Sequence, residues 1–171
     1  RGVSWFNNLG VKLEGPPNVN SPDITAVNIP DTYGLMNTHG QYVDSWDRIH
    51  VVVRHCSDSS LEAVGAKPGE SCWGPEGAQH YHHYWRDNKA VWQHTEMEWE
   101  AGTRPKLFMD KDDNAYMIYN YDGNLVVAAA TADRSWHDWQ IIHTEPGPFV
   151  NEMLGDYYLW KQKNVLSVVV Q

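Results

Sequence analysis

Apolar and polar positions along the chain repeat one figure three times: an apolar extended run, a short polar turn and a second apolar run. In GLMNTHGQYVDSWDRIHVVVRH, runs from Asn37 to Asp44 and from Arg48 to Arg54 flank the turn Asp44-Ser45-Trp46-Asp47. Three consecutive valines in the second run predict a buried return strand, so the segment reads as a β-hairpin. Lys106 to Tyr119 (KLFMDKDDNAYMIY) and Tyr157 to Val170 (YYLWKQKNVLSVVV) read the same way. A hairpin that returns in this manner predicts a repeat architecture.

The intervening residues fill out the repeat. Ile24 to Pro30 reads as an outer strand, and Cys56 to Gln79, rich in Ser, Gly, Pro and Glu, reads as loop throughout. Strands are expected at His80 to Asp87, Ala90 to Met97, Arg104 to Phe108, Ala115 to Tyr119, Leu125 to Ala130, Trp139 to His143, Asn151 to Trp160 and Val165 to Val170. Val43 aligns with Met109 at a shift of 66 residues and Met109 with Leu159 at a shift of 50, so the first unit is longer by 16. Cys56 and Cys72 are also 16 apart. The excess therefore maps to a loop between the second and third strands of a four-stranded blade of roughly 50 residues.

These readings give an all-β chain: a β-propeller fragment of four-stranded antiparallel blades, two of them complete, with pieces at 1–33, 34–100, 101–147 and 148–171. Two blades cannot close a ring, and a blade buries its faces only against neighbours, so the intact protein is expected to carry more of them and to be a monomer. The connector Pro146-Gly147-Pro148 is rigid by its chemistry.

Composition narrows the partners. A net charge of −9 argues against nucleic acid, because phosphate contacts need clustered Lys and Arg. The longest apolar run, Val165 to Val170, is too short to span a membrane, and no membrane partner is expected. Nine Trp, nine Tyr and nine His suit stacking on sugar faces and hydrogen bonding to hydroxyls, while the same aromatics also suit packing between sheets. Two cysteines leave three readings open: a bridge closing the inserted loop, which would stabilise by about 3 kcal/mol and imply an oxidising compartment; two free thiols; or Cys56 as a metal ligand.

Arg1 to Trp5 (RGVSW) resembles the tail of an Asp-box, S-x-D-x-G-x-T-W, a turn between the outer strands of many propeller blades, and Ala132 to Trp136 (ADRSW) a degenerate copy. Together with HYHHYWRD, GTRPKLFMDKDDNAYMIY, LVVAAATADRSWHDWQ and NEMLGDYYLWKQKNVLSVVVQ, these segments resemble the C-terminal part of the BNR-repeat family, which holds the seven-bladed propeller polysaccharide lyases of the ulvan lyase and rhamnose-glucuronate lyase types. The resemblance implies a secreted enzyme cleaving an acidic, uronic-acid-containing polysaccharide by β-elimination. A base takes the C5 proton, an acid protonates the leaving oxygen, and a cation or hydrogen-bond donor neutralises the carboxylate. The family's T-Y-x…S-Y-R signature belongs upstream of residue 1. A non-catalytic glycan-binding propeller and a sialidase-like hydrolase are the alternatives.

In a propeller the first strand of each blade lines the channel and the loops at its start form the mouth. That geometry nominates Asn37, Thr38 and His39, then Thr103 and Arg104, then Asn151 and Glu152. His39, Asn8 and Asn37 are the catalytic candidates; Arg104, Asn7, Asn151 and Glu152 are the substrate-binding ones. Arg104 matches a carboxylate in geometry and serves equally well to tie two blades through an acidic neighbour. No cofactor is required. A structural zinc on His39, His55, Cys56 and His83 is the best metal reading, excluded if Cys56 is bridged to Cys72. Asp110-Lys111-Asp112-Asp113-Asn114 invites a calcium reading but lacks the Gly and terminal Glu of an EF-hand loop, which favours a solvated turn.

Overall fold

Alternating apolar residues in short runs bounded by Asp- and Gly-rich turns give strands throughout. A computed structural model describes residues 4–35 and 40–171. In chain order the elements are β1 (Trp5–Phe6), β2 (Lys12–Leu13), β3 (Gly40–Val43), β4 (Ile49–His55), α1 (Asp58–Ala63), β5 (His80–Arg86), β6 (Trp92–Glu100), β7 (Lys106–Met109), β8 (Ala115–Tyr121), β9 (Asn124–Ala130), β10 (Gln140–Glu145), β11 (Leu154–Gly155), α2 (Tyr157–Lys163) and β12 (Val168–Val169). Strands β3-β4-β5-β6 and β7-β8-β9-β10 form two four-stranded antiparallel meanders, flanked by the two-stranded pairs β1-β2 and β11-β12. The protein is all-β with the architecture of propeller blades.

The two complete sheets meet along their first strands. A Cβ on Gly40 in β3 would lie 2.9 Å from the Leu107 Cβ of β7, so glycine is what lets the inner strands approach this closely. Leu107, Phe108, Met117, Ile118 and Tyr119 of the second sheet pack with Val52, Tyr81 and Trp85 of the first in one buried core. A separate small core gathers Cys56, Leu61, Cys72 and Ala78.

One turn device recurs four times. Asn7, Asp44, Asp87 and Asp110 each accept two backbone N–H groups on Oδ1, from the residues two and four positions on, at 2.8 to 3.0 Å. The residue three positions on is left-handed in each: Gly10 (φ 76°), Asp47 (59°), Ala90 (62°) and Asp113 (60°). This is a three-residue hairpin loop with an αL residue at its end, closed by an Asx side chain. The connection between the third and fourth strands of the second sheet differs: Ala132–Arg134 is a one-turn 3-10 helix, and Thr131 donates from its N and Oγ1 to Asp138 at 2.8 and 2.6 Å. Ala90 is the only non-Gly, non-Asx member at the left-handed turn position, where a Cβ crowds the backbone. Ala90→Gly is expected to stabilise by about 1 kcal/mol, read as a higher urea midpoint at unchanged slope.

Three expectations need correction. Tyr157 to Val170 is not a hairpin: Asp156 accepts from Leu159 N at 2.8 Å and Asn164 closes the other end in the left-handed conformation (φ 54°), so Tyr157–Lys163 forms a capped helix. Only Leu154–Gly155 and Val168–Val169 pair as strands in this region. The inserted loop is not irregular throughout, because Ser57 and Ser60 make a reciprocal capping box that starts α1. Ile24 to Pro30 carries no strand; Pro22 and Pro30 cannot donate to a ladder, and Asp23 (φ 54°) turns the chain so that its carbonyl accepts from Asn8 N.

Candidate functional site

The connections entering β7 and β11 meet at one end of the two sheets. Gly102 runs against the β8 backbone so closely that a Cβ would sit 2.0 Å from Asn120 O. Next to it Thr103 is pinned from three sides: its N donates to Asn120 O at 2.8 Å, its Oγ1 accepts from Asn120 N at 2.9 Å, and its carbonyl accepts from Tyr81 Oη at 2.5 Å. Arg54 Nη1 donates to Gly102 O at 2.6 Å, and Asn120 Nδ2 donates to Asn151 O at 3.1 Å. On this braced platform the Arg104 guanidinium pairs with Glu152, and Lys106 Nζ lies 4.0 Å from the same carboxylate. Both members of the Arg104 pair are about one third exposed, so a solute can reach them.

The structure thus brings together Thr103, Arg104, Asn151 and Glu152 and adds Lys106, Arg54 and Asn120, which sequence reasoning missed. Lys106 was legible as the polar head of an apolar strand; Arg54 and Asn120 reach the end of the sheets only through the pairing of β4 and β8 with their neighbours. Asn37, Thr38 and His39 lie outside the described residues. Asn7 and Asn8 are elsewhere. The Asn8 carbonyl accepts from Arg86, at the far end of β5 from Gln79 and the Gly102 connection, and the buried Asn7 carboxamide is spent on the β1-β2 turn.

The zinc set does not assemble. Cys56 is bridged to Cys72, leaving no thiolate. His55 and His83 stand on opposite faces of the sheet, because His55 pairs with His80 while His83 pairs with Val52 in a register of alternating faces. Among the described residues no group of three or more His, Cys, Asp or Glu is placed to hold a metal. In the Asp-rich turn, Asp110 serves two backbone N–H groups and Tyr116 Oη, and Asp113 accepts from Ser45 N at 2.9 Å and Ser45 Oγ at 2.6 Å, tying the two inner turns together. These carboxylates act as hairpin acceptors.

The histidines form two hydrogen-bonded sets instead. On the core face, Trp139 Nε1 donates to His83 Nδ1 at 3.2 Å, which leaves Nε2–H of His83 to donate to His50 Nδ1 at 3.0 Å and Nε2–H of His50 to donate to Asp44 Oδ2 at 3.2 Å. On the other face His82 stacks on His55 at 3.6 Å and bonds His94 at 2.9 Å. Burial pushes the His83 imidazole well below its usual range and lowers His50. Burial, reinforced by His55, takes His82 down to about 3. Against the upward push of burial, His80, His82 and Ser57 bring Glu96 down to about 2.

No curated protein matches the chain. The profile of the BNR repeat-containing family matches residues 1–99, which take in β1-β2, the whole disulfide-clasped loop and nearly all of the first four-stranded sheet. With more than half of its length matched and two four-stranded antiparallel blades in its fold, the chain belongs to the BNR repeat-containing family.

Proposed function

We propose that this chain serves carbohydrate recognition and turnover, with the Arg104–Glu152–Lys106 rim taking the carboxylate of a uronic-acid-containing polysaccharide that is cleaved by β-elimination. The observation that carries the reading is two cations converging on one carboxylate at the head of the inner strand β7, in a protein of net charge −9. A guanidinium fork matches a carboxylate in plane and spacing, and neutralising a uronate makes its C5 proton easier to remove. In the step itself the C5–H electrons form the C4=C5 bond, the C4–O bond breaks, and its oxygen leaves protonated. His39 is the candidate base. The Cys56–Cys72 bridge supports a secreted location, since disulfides persist in oxidising compartments.

The test incubates the full-length protein with ulvan or glucuronate-capped arabinogalactan and follows the ultraviolet absorbance of the unsaturated product. Arg104→Ala is expected to lower the rate about a hundredfold or more, as loss of one charge-stabilising donor does elsewhere. Equal rates for wild type and variant, or no unsaturated product from either, overturn the reading. The pairing of Arg104 with Glu152 favours a second reading, glycan binding without cleavage, in which Arg104→Ala weakens retention on polyuronate and no product forms from any substrate.

A further inference from the structure

Trp46 is 77 % exposed at the tip of the β3-β4 turn, more than any other described tryptophan. The fold does not ask for an indole there. In the three equivalent Asx-closed turns the same position holds Leu9, Lys89 and Asp112, and each closes with the same hydrogen bonds. The Trp46 backbone N–H, held by Asp44 Oδ1 at 2.9 Å, fixes the turn tip without engaging the ring. Exposing so large an apolar surface is unfavourable, so a ligand that covers it has a reason to bind.

The surroundings identify the ligand class. Trp46 and the half-exposed Ile49 border a cavity between the β3-β4 and β5-β6 turns, with Asp47, Arg86 and Asn88 at its polar edge. An indole face beside planar hydrogen-bonding side chains suits a pyranose, whose axial C–H groups stack on the ring while its hydroxyls meet amide, carboxylate and guanidinium. The ionised lining is balanced, Arg48 and Arg86 against Asp47 and Asp87, and so offers no preference for an anionic sugar. The Arg104 rim, with its two cations on one carboxylate, differs in this respect. It also lies at the opposite end of the sheets, since the Gly102 connection meets Gln79 just before β5 whereas Arg86 ends that strand.

We infer that Trp46, with Ile49 and Asn88, forms a second glycan site that holds a neutral pyranose, remote from the Arg104 rim; the inference rests on the carbohydrate reading but not on cleavage. The test is native electrophoresis of the full chain through gels containing neutral galactan, arabinan or β-glucan, with polygalacturonate gels as the acidic arm. At least one neutral polysaccharide should retard the wild type, with the dissociation constant rising about tenfold in Trp46→Ala, equivalent to ~1.4 kcal/mol. Trp46→Phe should recover part of the retardation, and Asn88→Ala should lose part of it. Thermal unfolding of these surface variants should match wild type. Retardation by polygalacturonate should follow Arg104 and ignore Trp46, so loss of that arm alone counts against the rim and leaves the Trp46 site standing. Absence of retardation in all three neutral gels, or equal retardation of wild type and Trp46→Ala, overturns the proposal.

Discussion

Replacing Trp136 with alanine is expected to destabilise the chain by about 3–5 kcal/mol, the largest single-residue effect in this structure. The side chain is 2 % exposed and sits where the β9-β10 connection of the second sheet folds over the first. Its Nε1 donates to Asp113 O at 2.8 Å, in the turn that Asp113 ties to Ser45. Its ring meets His50 edge-on at 4.5 Å and Trp85 at 5.7 Å, and the Arg48 guanidinium lies 4.7 Å over it. Arg48 in turn pairs with Asp44, which closes the histidine chain. Removing the indole therefore opens a cavity, leaves a buried carbonyl without its donor and takes away a cation–π partner, and these losses couple because they share residues. Urea unfolding of Trp136→Ala and Trp136→Phe checks it: Phe retains most of the volume and should recover roughly half of the loss. A loss below about 1 kcal/mol in Trp136→Ala would mean that the sheets do not depend on this contact.

Half of the hairpins in the two complete blades were legible from a purely local signal, an apolar run on each side of an Asx-x-x-αL turn at Asp44, Asp87 or Asp110. The disulfide was only one of three readings open to the two cysteines, and the shift of 50 that made the length excess equal their separation was measured to Leu159, which lies in α2 and not in a strand. The Tyr157 to Val170 segment misled because its apolar content fits either element over so short a span. Asp156 and Asn164, with seven residues between them, were the cap signals that decide for helix. At the rim, Arg104 and Glu152 were legible as heads of successive units, whereas Asn7 was not separable from a sugar-binding asparagine by type alone. Its place three residues before Gly10 marks it as a turn former. The partition of His82 and His83 to opposite faces follows from strand alternation, but His50 as the partner of His83 depends on the register of β4 against β5.

Acidification should unfold the chain from a pH near 6.5 downward, and the histidine sets give the sign. His82 and His83 are fully buried and neutral, with folded pKa values depressed below the ordinary 6.5 by burial, His82 to about 3. Above 6.5 both folded and unfolded chains hold these rings neutral, so they add no pH dependence there. Below it the unfolded chain takes up protons that the folded chain refuses, and stability falls with each step down. At pH 5.5 each such ring costs on the order of 1 kcal/mol and the pair a few kcal/mol, a drop in Tm of several degrees for a domain of this size. Carboxylates extend the fall. Glu96, lowered to about 2, and Asp44, which burial would raise but which the Arg48 backbone N–H, its side chain and His50 hold down, are stabilising while ionised and lose that contribution as pH drops below the usual carboxylate range. Thermal melts between pH 8 and 4 should therefore be flat above 7 and steep below 6.5. A His83→Gln variant, starting from lower stability, should show a shallower slope between pH 6.5 and 5, because one proton-refusing ring is gone. If wild type and variant lose stability in parallel through that window, the buried imidazole chain is not what makes the fold acid-sensitive.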